Sequence, residues 1–85
     1  MNMNIDKLME TKEGVQLMSA TLITQRIEDV TQQIYRRKKQ LNRFLEYQAE
    51  GIDNADTRVE NIKTKIQELN KEIITLTENL LALYK

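Results

Sequence analysis

A chain of 85 residues with no His, Cys, Trp or Pro has room for one small domain and for few kinds of chemistry. The missing Cys and His exclude zinc fingers, disulfide frameworks and Ser-His or Cys-His nucleophiles, and the single serine, Ser19, has no imidazole to activate it. Thirteen basic and 13 acidic residues cancel to a formal net charge of zero, which argues against a generic polyanion binder.

Residues 1–14 read as an N-terminal segment, flexible or with a short helical turn around Ile5, Leu8 and Met9, that ends at Gly14. The first ten residues contain no basic stretch followed by an apolar run, so no cleavable secretory signal is expected. No run approaches eighteen consecutive apolar residues, so no membrane span is expected either. With the absence of Cys, this points to a cytoplasmic location, with export by a route lacking a cleaved signal left open.

From residue 15 onward the apolar periodicity is helical. A first helix is predicted over about 15–50, with a seam of Ala20, Ile23, Ile27, Val30, Ile34, Arg37, Leu41, Phe44 and Gln48. Arg37 and Gln48 are the polar interruptions. Arg37 has two readings: its stem covers apolar surface while its head reaches water, or it pins the register by pairing with Glu68 across the hairpin. The first is favoured.

The stretch Glu50-Gly51-Ile52-Asp53-Asn54 predicts a turn. Gly51 suits the left-handed position beyond a helix end, and Asp53 or Asn54 suits a helix N-cap, with Asp56 near the positive end of the next helix dipole. The oxygen-bearing run Asp53-Asn54-Ala55-Asp56-Thr57 is not a calcium loop, because Ala55 takes a ligand position and Arg58 stands where such a loop needs Gly. No metal or cofactor is expected.

A second helix is predicted over about 54–84. Ile52, Ala55, Val59, Ile62, Ile66, Leu69, Ile73, Leu76, Leu80 and Leu83 alternate spacings of three and four, the heptad pattern of a coiled-coil seam. The fold class that follows is all-α: an antiparallel, coiled-coil-like hairpin over 15–85 with its turn near 50–54, assembling into a helical bundle. The rival is one continuous coiled coil through Leu45, Gln48, Ile52 and Ala55 with a single stutter. The cluster of Gly51, Asp53, Asn54 and Asp56 favours the hairpin.

Two surfaces stand out. Val15, Met18 and Leu22 on the first helix, and Ile74, Leu81 and Tyr84 on the second, are apolar residues beyond the seam, all at the hairpin's open end. They are the candidate partner-binding residues, to be covered by a second copy, by another helical protein or by residues 5–9. Charge is also segregated. Residues 26–43 carry a net +4 and residues 44–61 a net −4. Arg36, Lys39 and Arg43 share one outward helix face and are the candidate nucleic-acid contacts. A basic region running into a zipper resembles the basic-zipper DNA-binding proteins, but the Asn-rich reading core is missing and an apolar seam crosses the basic block.

No residue set supports catalysis, so no enzyme is expected. The function that follows is a protein–protein interaction module: a small helical adaptor, chaperone or self-assembly protein. The alternative is a small nucleic-acid-binding regulator using the first-helix stripe.

Overall fold

The apolar seam is the line along which two helices close on each other. In the computed structural model, which describes residues 12–84, helix α1 spans Lys12–Ala49 and helix α2 spans Ala55–Ala82, with no strand among the described residues. At ~1.5 Å per residue they run about 57 and 42 Å, and the chain measures 61 × 28 × 12 Å. The arrangement is the antiparallel hairpin and not the rod. Arg26 meets Glu72, and the side-chain amide of Gln16 donates to the carbonyl of Leu83, so positions far apart in sequence lie side by side. Gly14 falls inside α1, where a glycine costs only about 1 kcal/mol relative to alanine. Ile5, Leu8 and Met9 lie outside the described residues.

The core follows the seam. Val30 and Val59 are fully buried, and Ala20, Ile34, Ala55, Ile62 and Leu69 are nearly so. Val30, Ile34 and Leu69 form the central cluster, with Ile66, Ile73 and Leu76 packed around it. Ile52 departs from the expected seam. It sits in the turn, 47% exposed, because α2 begins only at Ala55. No polar or charged residue is buried among the described residues, so the hairpin is held by a single row of aliphatic side chains.

The turn forms as Gly51 requires. The Ile52 N–H donates to the Tyr47 carbonyl at 3.0 Å and the Gly51 N–H to that of Gln48 at 3.1 Å, the paired bonds of a Schellman motif with Gly51 left-handed at φ +76°. Asn54 occupies the N-cap position, but its side chain makes no capping bond. Its φ of +68° turns the backbone instead, a conformation Asn tolerates better than other non-glycine residues. Asp56 lies in the first turn of α2, and its carboxylate accepts a 2.7 Å hydrogen bond from the Gln48 amide across the tip. A Cβ at Gly51 would meet nothing within 4 Å, so a substitution there is penalised by backbone conformation alone. Gly51→Ala should therefore lower stability by about 1–2 kcal/mol without changing the fold, read as a drop in melting temperature with the helical circular-dichroism spectrum retained.

Candidate functional site

The Arg26–Glu72 bridge divides the hairpin into two faces. Both the Nε and an Nη of Arg26 donate to one Glu72 oxygen, at 2.8 and 2.7 Å, so both residues flank the seam on the same side. The pair is half exposed and is worth about 0.2–1 kcal/mol at most, but it fixes the geometry. An α-helix turns through ~100° per residue. Leu22, one turn before Arg26, and Val15, three turns before it, therefore lie on the bridge face. Met18 lies between that face and the back of α1, and is half-buried. Leu17, nine residues before Arg26, is half a revolution away. Ile74, Leu81 and Tyr84 stand about 200°, 180° and 120° beyond Glu72 on α2, which places them on the far face too.

The six candidate partner-binding residues thus gather at the open end but on two opposite faces. Leu22, Ile74, Leu81 and Tyr84 are more than half exposed, and Val15 is 42% exposed. Besides Ile52 in the turn, three further large apolar residues outside that set are exposed: Leu17, Tyr35 and Leu45. The same phase count puts all three on the far face. That face consequently holds six of the exposed large apolar residues, with Leu17, Leu81 and Tyr84 grouped at the open end and Ile74 about two turns further in. The bridge face holds two, Val15 and Leu22.

The basic residues are exposed and lack carboxylate partners. Among the described residues, Arg36, Lys38, Lys39 and Arg43 form no ion pair. Lys39 instead sits over the Tyr35 ring, 4.5 Å from its centroid, which turns it from the Arg36 side toward the far face. Arg43 and Arg36 remain toward the bridge face.

Arg37 takes the covering role. It is half-buried on the seam, and its guanidinium donates to the Gln40 side-chain oxygen at 3.1 Å. Glu68 is not its partner. The nearest ion-pair contact of Glu68 is Lys65, at 4.0 Å. The alternative of an Arg37–Glu68 pin rests on a hairpin centred near residue 52, whereas Arg37 shares a groove with Asn61, Ile62 and Lys65, a few residues nearer the tip.

Among the described residues there is no group of three or more His, Cys, Asp or Glu placed to hold a metal ion, and no helix long and apolar enough to cross a membrane. Compared with known proteins, the chain matches no family model, no curated protein sequence and no solved structure.

Proposed function

We propose that the chain is a non-enzymatic self-assembly module, in which two hairpins pack through their far faces into a helical bundle. The observation that carries this reading is the far-face group of Leu17, Ile74, Leu81 and Tyr84, exposed by 54, 58, 61 and 68%. Side chains of this size gain about 1.5–3 kcal/mol each when fully buried, and among the described residues they are left exposed.

A helical partner protein with a matching apolar stripe is the heterotypic form of the same reading. Light scattering tests it: self-assembly gives twice the chain mass at micromolar concentration, and a compact, cooperatively melting species of single-chain mass contradicts it.

A second reading, nucleic-acid binding, has one observation in its favour: among the described residues Arg36, Lys39 and Arg43 have no carboxylate partner.

A further inference from the structure

On the bridge face, opposite the apolar stripe, a shallow furrow in the tip half begins along α1 and from Arg37 onward runs between the helices. Its three stretches share residues and so form one path. The first is lined by Gln33, Arg36, Arg37 and Gln40. The second, of about 270 Å³, adds Phe44, Arg58, Asn61 and Lys65. The third continues past Phe44 and Arg58 to Tyr47 and the turn. From Gln33 to Tyr47 the path is about 21 Å long at 1.5 Å per residue.

Four cations border this furrow, two from each helix: Arg36, Arg37, Arg58 and Lys65. The three guanidiniums have no carboxylate partner among the described residues, and Lys65 has only Glu68 at the 4.0 Å limit. Side-chain amides stand between the cations. At the tip end Phe44 and Tyr47 pack edge to face, with centroids 5.4 Å apart, and the Arg58 guanidinium lies 5.8 Å from the Phe44 centroid. Asp53 closes that end with the opposite charge.

We propose that this furrow binds single-stranded nucleic acid, the phosphates meeting Arg36, Arg37, Arg58 and Lys65 and a base reaching the Phe44–Tyr47 pair. Three features favour this ligand. Arginine forks match phosphate oxygens in bidentate geometry. A cationic track joined to aromatic rings is the arrangement that binds single strands without sequence preference. Few apolar side chains line the furrow between Gln33 and Lys65, so it offers an amphipathic helix little to bury. The proposal rests on the nucleic-acid reading but moves its centre. The outward stripe of Lys39 and Arg43 is replaced by a site that exists only when the two helices pair, since Arg58 and Lys65 come from α2. It is independent of the self-assembly reading, whose surface is the opposite face.

Fluorescence anisotropy with a labelled oligothymidylate of about 20 nucleotides tests it, at about 20 mM salt and upward. Four phosphate contacts predict a slope of log affinity against log salt of about −3, and the double variant Arg58→Gln/Lys65→Gln should halve that slope and weaken binding at least roughly tenfold. Circular dichroism and light scattering should show the variant folded and assembled as the parent. Lys39→Gln/Arg43→Gln should bind nearly as the parent. If that stripe variant loses binding while the furrow variant keeps it, the furrow is overturned and the nucleic-acid reading survives on the outer stripe. Absence of any binding at low salt overturns both. Displacement of the oligonucleotide by polyglutamate at equal charge also overturns the proposal, and assigns the furrow to acidic peptides.

Discussion

Val59→Asp is expected to abolish the hairpin. Val59 is 1% exposed at the seam of α2, and Val30 on α1 is wholly buried. No buried polar group among the described residues is available to receive a carboxylate there. An ionised side chain without a partner costs several kcal/mol in such a place. Small domains have about 5–15 kcal/mol in total, and a core one side chain wide stands at the low end. The circular-dichroism signal at room temperature should fall to that of a largely unfolded chain. Val59→Ala, which removes two methyl groups and adds no charge, should leave a helical protein weakened by about 1–3 kcal/mol. A Val59→Asp protein that melts like the parent would mean that the seam is not the core.

The second large effect concerns assembly. Leu81→Asp places a charge at the centre of the far-face group while leaving the seam intact, because Leu81 is 61% exposed in the single hairpin. If two hairpins bury that residue, the variant loses the burial of a leucine and introduces a desolvated carboxylate on both sides of a two-fold interface. Several kcal/mol per dimer correspond to a weakening of at least roughly a hundredfold in the dissociation constant. The variant should run at the mass of one chain where the parent runs at two. Leu22→Asp, on the bridge face, should matter much less. This contrast separates the present geometry from one in which all the exposed apolar residues at the open end form one surface. Equal effects from the two substitutions would contradict the division into faces.

Much of the hairpin was legible in the residues. The heptad alternation from Ala55 to Leu83 is so regular that the half-buried and buried positions of α2 coincide with it at every seam position. Gly51 announced the left-handed residue because no other residue type reaches that conformation without cost. The second turn residue was harder to foresee. Asn54 is a common N-cap, and nothing in its local sequence shows that its backbone, not its side chain, would do the work.

The faces of the surface were less legible, for a physical reason. Leu17, Tyr35 and Leu45 look like isolated apolar residues along one helix, and their grouping with Ile74, Leu81 and Tyr84 depends on the rotational phase of two helices relative to each other. A single sequence gives the period of each helix but not that joint phase, which the contact between Arg26 and Glu72 supplies. The furrow shares this property. Arg37 reads as an interruption of the seam and Arg58 as the lone base of an acidic stretch, and only the pairing of α1 with α2 brings them to one groove.

Whether a second copy buries the far apolar face is read from light scattering coupled to size separation at micromolar concentration. The expected mass is twice the 10.0 kDa of the chain, falling to one chain for Leu81→Asp. A parent protein that remains at the mass of one chain, with a sharp melting transition independent of concentration, would contradict it.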